Sequence, residues 1–184
     1  MDRLPQAAII TKLAQRLREH GSWCGETHLQ KATYLLQELL EVPTGFDFIL
    51  YKHGPYSFDF SDEISSLRAD GLLTLQPQPA PYGPRFAPAP ISERLHASFP
   101  KTLAKYDEQI EFVAKALGGK RVDELEHLAT AYFVTKQETS KHNGSVQSRA
   151  ECLNQLKPHV SVQAATKAVE EIDRLIDQLQ EASN

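Results

Sequence analysis

Phe46-Asp47-Phe48-Ile49-Leu50-Tyr51-Lys52-His53-Gly54-Pro55-Tyr56-Ser57 is the stretch that decides how this chain folds. Its first half is aromatic and branched, with Phe46, Phe48 and Leu50 alternating, which predicts a strand over 46–51 packed on one face and partly on the other. Gly54 permits a positive φ and Pro55 fixes the next one, so the pair predicts a tight exit from that strand. Ser57 or Asp59 then caps the helix that follows. Gly54, Pro55 and Ser57 are thereby accounted for as a structural turn. Tyr51, Lys52, His53 and Tyr56 are left over, and these are residue types that carry partner contacts when exposed.

Upstream, Ile9, Leu13 and Leu17 recur at i, i+4 and i+8 between Pro5 and Arg18, with Gly21 beyond, which predicts a first amphipathic helix whose polar face holds Lys12, Arg16 and Arg18. Thr27 stands three residues before Gln30, a capping-box spacing, and predicts a second helix to about Glu41 with Leu29, Ala32, Leu36 and Leu40 on its buried stripe. Lys31 and Tyr34 are expected on the exposed side of that helix. Pro43-Thr44-Gly45 ends it.

Downstream, Phe60, Ile64 and Leu67 predict a third helix over about 59–69, with Gly71 in the left-handed position after its end. A short strand is expected over Leu72 to Leu75 and a return strand at Arg85-Phe86-Ala87. Residues 77–100 hold seven of the eleven prolines, among them Pro77, Pro79 and Pro81, which predicts a wing followed by a linker. Beyond it the pattern is helical throughout. Leu103, Tyr106, Ile110, Val113 and Leu117 form a stripe closed by Gly118-Gly119, and Leu125, Ala129, Tyr132 and Phe133 form another. His142-Asn143-Gly144 predicts a turn, and a helix from about Ser145 stops before Pro158. Ser161 caps a last helix on which Ala165, Val169, Ile172, Ile176 and Leu179 make a seam that needs a helical neighbour, inside this chain or on a second copy. The expected fold is mainly α with a small β-sheet. Residues 1–98 form a winged-helix-like half and 99–184 a C-terminal helical bundle packed on it as one compact unit.

Hydrophobic residues make up 41% of the chain and charged residues 24%, with a net charge of −4, which is the composition of an ordinary globular protein. No apolar run approaches the ~18 residues of a spanning helix and no signal-peptide segment opens the sequence, so the expected location is cytoplasmic, without membrane contact. Cys24 and Cys152 have no CxxC partner and encode neither a disulfide framework nor a zinc knuckle.

No catalytic motif assembles. The seven histidines contain no HExxH and no i, i+4 pair. Gly118-Gly119-Lys120 lacks the spaced glycines and hydroxyl of a phosphate loop, and Ser57 near His53 has no nucleophile elbow. Asp59, Asp62 and Glu63 share a helical face, but acidic residues in a first turn are explained by the helix dipole. Neither a catalytic residue, a metal ligand nor a cofactor is therefore assigned. Phosphate neutralisation needs clustered Lys and Arg, and an acidic third helix would repel DNA. If nucleic acid binds, the candidate contacts are Lys12, Arg16, Arg18 and Arg85, with Lys31 and Lys52 near them.

Leu29-Gln30-Lys31-Ala32-Thr33-Tyr34-Leu35-Leu36 followed by Tyr51-Lys52-His53-Gly54-Pro55-Tyr56-Ser57 resembles the signatures of the YwgA-like phage-associated proteins and, more distantly, of the Panacea-domain (SocA-like) antitoxins. Asp70-Gly71-Leu72-Leu73 is similar to a further element of that family, and Leu125 to Phe133 to one of its helices. The chain departs from the Panacea pattern at His53, where an aromatic residue is usual, and at Tyr56-Ser57, where apolar residues are usual. The resemblance implies a small non-enzymatic regulatory protein of bacterial or phage genomes. Such a protein neutralises or delivers a partner toxin, or acts as an adaptor in a defence or prophage system. The partner surface expected from the residues is Lys31, Tyr34, Tyr51, Lys52, His53 and Tyr56. A nucleic-acid-binding winged-helix regulator is the alternative, a metal-dependent enzyme the third reading, and monomer or homodimer is left open.

Overall fold

Nine consecutive residues, His28 to Leu36, are buried in helix α2 (Glu26–Glu38) of the computed structural model, which describes residues 1–80, 83–139 and 144–182. A helix buried all round is the centre of its domain. Helices α1 (Arg3–Glu19), α3 (Phe58–Ala69) and α5 (Pro100–Leu117) all pack against it. Lys31 and Tyr34, expected to be exposed, are 1% and 2% exposed instead, because no side of α2 is left to solvent.

The predicted capping box does not form. Gly25 precedes α2 without a side-chain cap, and Gln30 turns inward. Its amide donates to the Ser57 carbonyl at 2.9 Å and accepts from the Ser57 N–H at 3.0 Å, all in the buried interior. Seven residues on, Gln37 repeats the pattern. It donates to the Phe46 carbonyl and accepts from the Phe46 N–H, both at 2.9 Å, while the Thr44 hydroxyl donates to its oxygen at 2.6 Å.

With both polar groups of Phe46 bound to Gln37, no ladder begins there. Strand β1 is only Ile49–Tyr51, shorter than the 46–51 expected, and Phe46 and Phe48 pack instead on Phe60 and Tyr34, with ring centroids 4.9 and 5.3 Å apart. Gly54 does take a positive φ, 86°. The segment is nonetheless a hairpin and not a strand exit: Gly54–Tyr56 is itself β2, paired with β1 across a turn at Lys52-His53. Ser57 caps α3 as expected, its hydroxyl accepting from the Phe60 N–H at 3.2 Å.

After Gly71, at φ 71°, the wing is present: β3 (Leu73–Gln76) pairs antiparallel with β4 (Arg85–Pro88), Leu73 opposite Pro88 and Gln76 opposite Arg85. The far edge of β4 is occupied by the α1–α2 loop, where the Phe86 N–H donates to the Cys24 carbonyl at 2.8 Å. Cys24 holds φ 53° and is fully buried, which pushes its thiol up to about 12. The expected linker contains a short helix, α4 (Ser92–Ser98), tied down by the Ser92 hydroxyl donating to the Leu72 carbonyl at 2.6 Å. At the end of α5, a Cβ on Gly118 would collide with the backbone and Cβ of His20, so only glycine lets α5 meet the end of α1.

The described chain thus has eight helices and two small antiparallel sheets, mainly α with a small β component. It gathers into two compact units, 1–49 with 56–122 and 50–55 with 123–184. The division falls after residue 122 and not at 98, because α5 packs on α1 and α2. The second unit contains α6 (Val122–Thr139), α7 (Val146–Leu156) and α8 (Val162–Ala182). Arg149 of α7 bonds both carboxylate oxygens of Asp173 on α8 at 2.7 Å and the Thr135 hydroxyl on α6 at 3.1 Å. Ala165, Val169 and Ile172 of the α8 seam are buried and α8 packs on α7, so the seam has an intrachain neighbour; Ile176 and Leu179 are half-buried. His142 and Asn143 of the expected turn, and Pro81 of the wing, lie outside the described residues. No described helix is long and apolar enough to cross a membrane.

Two outcomes follow for stability. Gln30→Leu fits the apolar surroundings but orphans the Ser57 N–H and carbonyl, and is expected to cost about 2–4 kcal/mol in urea unfolding. His28 and His96 are buried, and desolvation lowers both pKa values; a bond with the Lys120 backbone opposes this at His28, and Glu93 opposes it at His96. The unfolded chain then binds protons more readily than the folded one. Stability is full above the ordinary imidazole value of ~6.5 and falls as pH drops through the lowered values. The melting temperature should decline between about pH 7.5 and 5.5, and the double substitution His28→Gln with His96→Gln should flatten that decline.

Candidate functional site

The hairpin tip is held by a lysine that the sequence does not advertise. Lys157 follows α7, and its N–H donates to the Leu153 carbonyl at 2.8 Å. The turn after it closes when the Val160 N–H donates to the Lys157 carbonyl at 2.9 Å and the Asn154 amide donates to the Val160 carbonyl at 2.7 Å. This geometry aims the Lys157 ammonium at the hairpin. It donates to the Tyr51 carbonyl and, at 2.7 Å, to the Lys52 carbonyl. The side chain is only 8% exposed, and desolvation lowers its pKa, with Glu126 nearby acting the other way.

Around this ammonium lies an open cleft, all within the second unit. The hairpin supplies Lys52, His53 and Gly54, α6 supplies Glu126, His127 and Thr130, and the α7–α8 connection supplies Lys157, His159 and Val160. His53 Nδ1 stands 3.3 Å from a Glu126 oxygen, an ion pair whenever the imidazole is protonated. Thr130 donates to the Glu126 carbonyl at 2.7 Å. The cleft carries two lysines and three imidazoles against one carboxylate.

Of the six residues predicted to contact a partner, Lys52 and His53 come together at this cleft, and Tyr51 stands beside them, 53% exposed, at the end of β1. Tyr56 is half-buried, its hydroxyl donating to Glu26 at 3.0 Å and its ring 5.1 Å from Phe58; burial raises its pKa. Lys31 and Tyr34 are interior residues of α2 and present nothing to a partner.

The four basic residues considered for nucleic acid are engaged within the first unit. Lys12 donates to Gln15 at 3.2 Å, and Arg16 sits among Glu19, Asp107 and Glu111 at 2.8 to 3.9 Å. Arg18 donates to the Phe86 carbonyl at 3.1 Å. Arg85 donates to the Trp23 carbonyl at 3.1 Å and stacks 4.8 Å above the Trp23 ring. Each holds the fold, and together they leave no open basic stripe. On α3, Glu63 is bound by Arg3 at 3.0 Å, and no described group of three His, Cys, Asp or Glu is placed to hold a metal ion.

Sequence reasoning missed Glu126, His127, Lys157 and His159. Their only signal is position: a lysine at a helix end before Pro158 reads as a solvated cation satisfying the helix dipole. Compared with protein-family models and with curated proteins, the chain matches none.

Removing the tether tests the site's construction. Lys157→Met should leave α6 to α8 folded while freeing the carbonyls of Tyr51 and Lys52. Trypsin should then cut after the exposed Lys52 faster in the variant than in the wild type, read by mass spectrometry of the fragments.

Proposed function

We propose that this chain is a non-enzymatic, protein-binding regulator, antitoxin-like or adaptor-like, of bacterial or phage origin, working in the cytoplasm and engaging its partner through the hairpin tip. The observation that carries the reading is Tyr51, 53% exposed next to exposed Lys52 and His53, on a turn whose carbonyls are already bound by Lys157. Aromatic residues on a pre-ordered backbone bind with little further loss of entropy, and such anchors dominate protein interfaces. Ile49, 50% exposed at the start of the same strand, adds apolar area. The antitoxin or adaptor role rests on the resemblance of residues 29–36 and 51–57 to the Panacea and YwgA-like patterns.

Affinity capture from the native host tests this. The double variant Tyr51→Ala with Lys52→Glu should melt like the wild type yet lose its partner, since truncating one anchor costs about 2 kcal/mol, roughly 30-fold in Kd. Lys101→Glu, an exposed change on α5, should retain it. Undiminished capture by the double variant removes the hairpin from the reading, and capture abolished by nuclease moves the function to nucleic acid.

A further inference from the structure

We propose that the cleft beneath the hairpin tip is a carboxylate-recognition site, and that the partner segment it receives is acidic. This rests on the reading of the tip as a partner surface and adds the chemistry of what binds there. Lys157 carries the argument. An ammonium has three donors, and two of them are spent on the Tyr51 and Lys52 carbonyls. The third has no partner among the described residues, on a side chain that is 8% exposed and lines the cleft. A buried cation with a spare donor favours an acceptor that brings negative charge.

The surrounding groups agree in sign. Lys52 and His53 face the space from the hairpin, His127 from α6 and His159 from the turn after α7, with Glu126 the one opposing charge. Glu126 stands 3.3 Å from His53 Nδ1. The lining holds no arginine fork, the usual partner of phosphate.

The test is a titration of the isotopically labelled protein with hexaglutamate, followed through the imidazole resonances of His53, His127 and His159. Saturable shifts are expected, with no response to hexaglutamine. Lys157→Met should weaken binding at least tenfold. Because that change also loosens the hairpin, His159→Ala, at an exposed position outside it, is the second variant and should weaken binding. No shift with hexaglutamate, or shifts with inorganic phosphate but not with the peptide, would overturn the proposal. Failure of the titration while partner capture stays sensitive to Tyr51 would overturn the carboxylate chemistry and leave the hairpin surface standing.

Discussion

The Gln30 side chain bound to both backbone groups of Ser57 is the contact on which the first unit depends. Secondary structure normally satisfies a buried backbone, but a chain that passes alongside a helix has no ladder to join. A glutamine amide presents one donor and one acceptor, like a peptide group, and so completes the backbone of Ser57 as a neighbouring strand would. Gln37 does the same for Phe46. Seven residues of helix rise about 10 Å, so the points where the chain leaves α2 and returns to it are fixed on one face at that separation. Everything between them, residues 47–56, is an excursion pinned at both ends. An excursion of that length, with Gly54 at positive φ, closes as a tight hairpin.

Lys157 then does for the tip what the glutamines do for the base. Its carbonyl partners are Tyr51, the last residue of β1, and Lys52 of the turn. A charged donor is suited to that task because a bond to an ionised group is worth about twice a neutral one. Burial works against the ammonium, which is why its pKa is lowered. The gain is a tip whose side chains project from an ordered backbone.

Much of the helical framework is legible in the sequence, because apolar spacing and caps are local signals. The stripes through Ile9, Phe60 and Ile110 lie in the core, and Ser57, Ser145 and Ser161 cap the helices they precede. The errors share a cause. Gln30 at a capping-box spacing, Lys31 and Tyr34 on a supposed exposed face, and Phe46 in a supposed strand were all set by non-local contacts. A polar residue inside α2 reads as solvent-facing unless its partner, 27 residues away for Gln30, is known. The cleft was less legible still. Glu126 and Lys157 meet the hairpin from more than 70 and 100 residues away, and neither stands in a motif.

The use of basic residues inside the fold bears on what the chain can attract. Arg3, Arg16, Arg18, Arg85 and Arg149 each bind a carboxylate or a carbonyl within their own unit, so these arginines serve architecture. With a net charge of −4, the molecule as a whole does not draw in anions from a distance. At physiological salt, however, that field decays over about 8 Å, and at contact a partner responds to the local groups alone. Around the hairpin those groups are Lys52, Lys157 and three imidazoles against Glu126. A surface of this kind gives little electrostatic steering and places its selectivity in the docked state. Dissociation rates, more than association rates, then set which partners are kept.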